Sequence, residues 1–398
     1  MAMIIYVFCY IYFPPVLSQN LLYIVGLFAW IFLIKRYGML KKIIGSKYFR
    51  TIIFSLVFLC IYCFTISFYH SNSIKIAVYT PLFWLFLIIP TVIFTSIWMI
   101  ERGYGFRNVI NILLVVANIQ GMLAVFSYIN MSFHNWVLEK FIINGANIEL
   151  FTKISNYRLN GLAYHLTNYA PLVSAFMIVV VFELSKTNWK YITTIPLMAA
   201  SIILNSRTAA VICLLGIILA FLLKKNYRKI SYGSIIIISI SCISLIIVYR
   251  YLDNAETWNS KWFLDSFRSI YSFLFDNSRT GYFEILNDEN LLRLPTGINL
   301  LIGVGSYVYS NVKYGFHTDV GYVNYIWMGG LIYFFLIFFL IFYILKPLSR
   351  ESKKLFFIAL VFIFVLNIKD VMFTVNEFMN LLFFLTMYKY IENKGLCQ

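Results

Sequence analysis

Arg158, Arg207 and Arg279 each stand in polar or glycine-containing sequence within a chain otherwise made of apolar runs. Their settings are Tyr157-Arg158-Leu159-Asn160-Gly161-Leu162, Asn205-Ser206-Arg207-Thr208 and Ser278-Arg279-Thr280-Gly281-Tyr282. A guanidinium keeps its charge and presents a rigid fork of donors that suits bidentate phosphate binding. A hydrogen bond to a charged group contributes ~1.5–3 kcal/mol, so two or three such arginines would hold a diphosphate firmly. Each could equally anchor its own helix at the headgroup layer by snorkelling. A second group reads Gly303-Val304-Gly305 and then His317-Thr318-Asp319, just ahead of an apolar run from Val320 to Leu345. An imidazole titrates near neutrality and can accept a hydroxyl proton, so His317, with Asp319 two residues on, is a candidate general base. His165 follows Gly161 by four positions, whereas His70 and His134 have no supporting context. Gly303 and Gly305 permit a tight turn or a close backbone approach. No nucleotide-binding pattern surrounds them.

The elements that must position these residues are membrane helices. The 398 residues are 61% hydrophobic, 19% aromatic and 12% charged, about half the charge expected of a soluble globule. Apolar runs near 20 residues are long enough to cross ~30 Å of hydrocarbon as helix. Outer-membrane strands would instead alternate apolar and polar residues over about 10 positions. The expected fold is all-α, one polytopic membrane domain over 1–398. Its twelve transmembrane helices lie near 2–17, 20–35, 51–68, 77–98, 108–129, 169–185, 190–205, 208–223, 232–249, 320–345, 355–368 and 374–390. Two long outer loops, 130–168 and 250–319, carry most of the candidate chemistry. Residues 191–223 contain a single charge, Arg207. One continuous helix there would be about 50 Å long at ~1.5 Å per residue, and a mid-bilayer arginine costs roughly 2.5–3.5 kcal/mol. A hairpin turning at Asn205–Thr208 removes both problems and brings Arg207 to the outer mouth.

Counting loops alternately, one side holds 20 of the 32 basic residues and four of the 16 acidic ones (Glu101, Glu183, Glu351, Glu392), which is the whole net charge of +16. The positive-inside tendency assigns that side to the cytoplasm, with both termini. The excess then reads as contact with anionic lipid, not nucleic acid. The first 34 residues carry no charge, so no cleavable signal peptide is expected. Of the cysteines, Cys9, Cys60, Cys63, Cys213 and Cys242 lie in apolar runs and Cys397 in the tail, and Cys60-x-x-Cys63 lacks a second pair or a histidine. They read as membrane-buried side chains, not a metal site or disulfide scaffold.

The order of these features resembles the bacterial O-antigen polymerase (Wzy) family, within the O-antigen ligase superfamily. The matching pieces are Arg158-Leu159-Asn160-Gly161 after an outer loop, Ser206-Arg207-Thr208-Ala209 opening a span, and Arg279 with Tyr282 three residues on. Gly303-Val304-Gly305 follows, and His317 then leads into Asp319, Gly321, Tyr322 and Gly329-Gly330. The resemblance covers roughly 150–345. It implies a metal-independent glycosyltransferase without cofactor, at the outer face of the bacterial inner membrane. Such an enzyme moves a growing O-antigen or capsule chain from undecaprenyl diphosphate to a sugar hydroxyl of the next lipid-linked unit, alongside a chain-length regulator protein. His317 or Asp319 would take the hydroxyl proton and Arg279 would stabilise the leaving diphosphate. Arg158, Arg207, Gly161, Gly303, Gly305 and Tyr322 would bind substrate. The alternatives are a ligase that hands finished polymer to another acceptor, and a lipid-linked oligosaccharide flippase.

Overall fold

The computed structural model describes residues 1–14, 20–70, 75–143, 161–163, 169–184, 189–223, 292–306, 308 and 318–395. Among them every regular element is helical. Eleven of the twelve expected stretches coincide with helices, and the other, 232–249, lies outside the described residues. Among the described residues, four helices are long and apolar enough to cross a membrane: Lys47–Tyr69, Val78–Glu101, Phe106–Ile129 and Gly321–Glu351. A fifth candidate is Leu21–Lys35 with Tyr37–Ile44, bent by 103° at Arg36. Ala2–Tyr12, Ile195–Asn205 and Lys353–Leu366 are too short to cross alone.

The chain divides into two compact units, Met1–Phe13 with Asn20–Ile112 and Asp288–Gln398, and Pro14–Gln19 with Leu113–Asn287. In the first unit α1 is Ala2–Tyr12, α2 Leu21–Lys35, α3 Tyr37–Ile44, α4 Lys47–Tyr69, α5 Lys75–Phe83 and α6 Ile89–Glu101. Pro81 lies within α5, and a π-turn at Trp84–Ile88 joins α5 to α6. A proline removes one ladder hydrogen bond, and the wider turn accommodates the loss. The helix α7, Phe106–Ile129, runs across the division. The second unit adds α8, Met131–Ile143, within the expected first outer loop, then α9 Tyr169–Leu184, α10 Ile195–Asn205 and α11 Arg207–Leu222. The first unit is completed by a short α12, Ile298–Ile302, and by α13 Gly321–Glu351, α14 Lys353–Leu366 and α15 Glu377–Lys394. Ser46, Ser206, Ser352 and Asn376 cap α4, α11, α14 and α15 with side-chain oxygens that accept from backbone N–H groups three residues on.

Ion pairs gather helix ends within the first unit. Arg36 after α2 pairs with Glu101 ending α6. Lys389 near the end of α15 pairs with Glu351 ending α13 at 2.7 Å and with Glu392 at 2.9 Å. Glu392 also accepts from the Phe106 N–H that opens α7. Tyr48 at the start of α4 donates to Ile344 O and stacks on Tyr390. The ends of α2, α6, α13 and α15 and the starts of α4 and α7 therefore share one end. The acidic residues Glu101, Glu351 and Glu392, read from sequence as lying on one side, are held there by bases assigned to that side.

Candidate functional site

The opposite end of the first unit is built on a break in α13. Gly329 (φ −144°, ψ 19°) and Gly330 (φ 69°, ψ −170°) leave helical geometry inside the run expected to be one span. A helix broken in this way frees carbonyls that must be satisfied inside the protein. Trp327 O accepts from Val304 N at 2.9 Å and Met328 O from Gly305 N at 3.0 Å. The Tyr62 hydroxyl of α4 donates to Gly329 O at 2.8 Å, and Trp327 Nε1 donates to Arg293 O at 2.8 Å. The glycines make this approach possible. A Cβ on Gly303 would lie 2.5 Å from Gly329 Cα, and one on Gly305 would lie 2.7 Å from Ser67 Cα. Both glycines have positive φ, 77° and 68°. Gly303-Val304-Gly305 is thus a main-chain clamp on a broken helix, the close backbone approach anticipated from sequence.

Asp319 sits beside this clamp. Asn324 fixes the segment that carries it, donating through Nδ2 to Thr318 O at 2.9 Å and to Val320 O at 3.1 Å, while Asn324 Oδ1 accepts from Val308 N at 3.0 Å. Val304, Val308, Val320, Val323 and Trp327 pack together beneath, with Tyr322 against them. Asp319 itself is half-buried and has no ion pair or hydrogen bond among the described residues. Tyr322 donates its hydroxyl to Phe364 O and stacks on Phe338, so its phenol is committed to holding α13 against α14. Gly321 lets α13 touch the Asp370 carbonyl, where a Cβ would clash.

In the second unit the hairpin expected at 205–208 is present. Cys213 Sγ contacts Ala175 O, and the ring of Phe221 lies 6.3 Å from that of Phe182. Steps of eight residues in α11 and seven in α9 keep the two helices level, so they run parallel. The intervening α10 must therefore return the chain to the end where α9 begins. The break is one residue, Ser206, in extended conformation (φ −153°, ψ 113°). Arg207 follows as the first residue of α11, with its side chain outside the described residues. Gly161 (φ 58°) is buried on α7, 3.1 Å from Gln120 Nε2, Leu123 Cβ and Ala124 N if it carried a Cβ. It packs one turn against a helix. Arg158, Arg279 and His317 lie outside the described residues.

Sequence reasoning passed over a polar group at the same end of the first unit as the clamp. Glu377, the first residue of α15, is fully buried, as are Tyr12, the last of α1, and Asn380, one turn into α15. The signal was available in Asn376-Glu377, a cap residue and an acid opening an apolar stretch. Compared with known proteins, the chain matches no protein-family model, no curated protein and no solved structure, and its functional reading rests on its own residues.

Proposed function

We propose that the chain is a polymerase of lipid-linked oligosaccharide repeat units, of the kind its resemblance to O-antigen polymerases implies. The observation that carries this reading is Asp319. It is a half-buried carboxylate without a partner among the described residues, in a segment pinned by Asn324 next to a glycine clamp. An uncommitted acid on a rigid support suits proton acceptance, and His317 precedes it by two residues. In the proposed reaction a sugar hydroxyl oxygen of the acceptor bonds to the anomeric carbon of the growing chain. The bond from that carbon to the diphosphate oxygen breaks, its electron pair leaves with the diphosphate, and the hydroxyl proton passes to His317 or Asp319. Arg158, Arg207 and Arg279 oppose the negative charge building on the leaving group, the electrostatic form of catalysis. The full architecture in this reading is about twelve crossing helices with outer loops 130–168 and 250–319. The protein lies in the bacterial inner membrane with both termini in the cytoplasm, in contact with membrane lipid and a chain-length regulator.

The test is reconstitution of the purified protein with lipid-linked repeat units. Lengthened lipid-linked glycan supports polymerisation. Transfer of finished polymer to a separate acceptor identifies a ligase, and translocation without lengthening identifies a flippase. Asp319→Asn and Arg279→Ala are each expected to lower elongation by about 100-fold or more, the scale of one general base or one transition-state charge contact. A full-length ladder from the Arg279→Ala variant removes that residue from the site.

A further inference from the structure

The elbow that joins α2 to α4 gathers cations on one exposed surface of the first unit. α3 turns by 103° from α2, so with α2 crossing the bilayer it lies close to the membrane plane. The eight residues of α3 are amphipathic: Leu40 and Ile43 are buried, whereas Tyr37, Gly38, Lys41 and Lys42 are exposed. At about 3.6 residues per turn the two sets occupy opposite faces, so the lysines point away from the bundle. Lys35 ends α2, Lys47 opens α4 and Arg50 follows one turn on, all three exposed. None of these five cations has an ion pair among the described residues. No Asp or Glu precedes Glu101 in the chain. Glu101 is taken by Arg36, which also lies over the Phe32 ring at 4.9 Å. Elsewhere at this end base is mixed with acid, as Lys389 is with Glu351 and Glu392.

Exposed apolar stripes run from these cations into the depth of the membrane. Ile24, Leu27, Ile31 and Lys35 follow one another on one face of α2, and Lys47, Arg50, Phe54, Val57 and Ile61 on one face of α4. Each stripe is a hydrocarbon contact that ends in a cation, which is the profile of an acyl chain below its phosphate. Neighbouring ammonium groups repel one another. A phosphodiester placed among them removes the repulsion and gains charge-assisted hydrogen bonds. An acidic protein could meet the charges, but it would leave the stripes below them uncovered.

We propose that the α2–α3–α4 elbow is a docking surface for anionic phospholipid. Lys41, Lys42, Lys47 and Arg50 hold headgroup phosphate, and the acyl chains lie along the stripes of α2 and α4. A property of the whole basic side is thereby narrowed to one surface. That surface needs neither Asp319 nor a glycan and stands apart from the polymerase reading.

Thermal unfolding of the purified full-length protein in neutral detergent micelles tests the assignment, with phosphatidylglycerol or phosphatidylcholine titrated in. A ligand that binds the folded state raises the melting temperature as its concentration rises, and the titration gives an apparent affinity. Phosphatidylglycerol is expected to stabilise more than phosphatidylcholine, with the difference shrinking as salt is added. One cation near an anionic surface contributes about fivefold in affinity, or about 1 kcal/mol. Lys41→Gln/Lys42→Gln should therefore weaken phosphatidylglycerol binding by about 25-fold. Lys353→Gln/Lys394→Gln removes as many exposed charges from the same end and should change it by less than about twofold. Equal losses in the two double variants reveal a general attraction of the basic side and overturn the elbow. Unchanged affinity in Lys41→Gln/Lys42→Gln overturns it too, as does equal stabilisation by phosphatidylcholine or by inorganic phosphate at matched ionic strength. Should Lys41→Gln/Lys42→Gln fail to fold, Lys47→Gln/Arg50→Gln on α4 takes its place with the same outcomes.

Discussion

At Gly303 a methyl group is forbidden twice, by a φ of 77° and by backbone atoms of Gly329 and Gly330 within 2.5 Å of where it would sit. Left-handed strain and a main-chain clash act together, so Gly303→Ala should destabilise the protein by about 2–3 kcal/mol. The check is the melting temperature in detergent, with the sequence-distant and unclamped Gly38→Ala as control, since nothing lies within 4 Å of its Cβ position. Tyr62→Phe removes the hydroxyl that donates to Gly329 O at 2.8 Å. It should cost about 1 kcal/mol, because one carbonyl of the broken helix is then left to find another donor. At this scale the sequence was partly legible. A Gly-x-Gly ahead of an apolar run announces close backbone approach, but nothing in it names the partner of Gly303, which lies 26 residues downstream at Gly329. Glu377 was harder to see, since one acid opening an apolar stretch reads as a helix start until its full burial is known.

The elements were legible where length and charge set hard limits. A 33-residue run with one arginine cannot be a single crossing, and the turn falls at Ser206, inside the stretch where it was expected. Ser206 ends α10 and caps α11 through its hydroxyl, which accepts from Ala209 N at 3.1 Å. Ser206→Ala should therefore cost about 1 kcal/mol while Ser206→Asp retains the cap, measured by thermal unfolding of both variants. The break in α13 was not legible, because a Gly-Gly pair inside a 26-residue apolar run is ordinary in a membrane helix. The same holds for α8 and α12, which lie in stretches too polar or too short to stand out from loop. Tertiary contacts, not local propensity, decide such short helices.

For the molecule as a whole, the charge asymmetry read from sequence corresponds to a physical assembly in the first unit. Lys389 holds Glu351 and Glu392, and Glu392 holds the start of α7. Lys389→Met should remove both ion pairs and lower stability by about 1 kcal/mol, since Glu351 is partly exposed and Glu392 keeps the Phe106 N–H, with part of the loss recovered when Glu351 is also neutralised, as thermal unfolding of the double variant would show. The proposed orientation makes a separate prediction. In a cysteine-free background, Lys41→Cys should react with an impermeant maleimide only after the inner membrane is opened, and Ser278→Cys should react in spheroplasts. Reversed labelling would invert the topology and move the arginine-bearing loops to the wrong side of the membrane for a lipid-linked glycan.

Because the segment through Gly303-Val304-Gly305 is moored to α13 by peptide groups, its attachment is indifferent to most of the side chains it displays. The exposed side chains of Ile298 and Leu301 can change without loosening the mooring, so long as the glycines stay. A scaffold of that kind lets the displayed side chains vary while the carboxylate beside the mooring keeps its station.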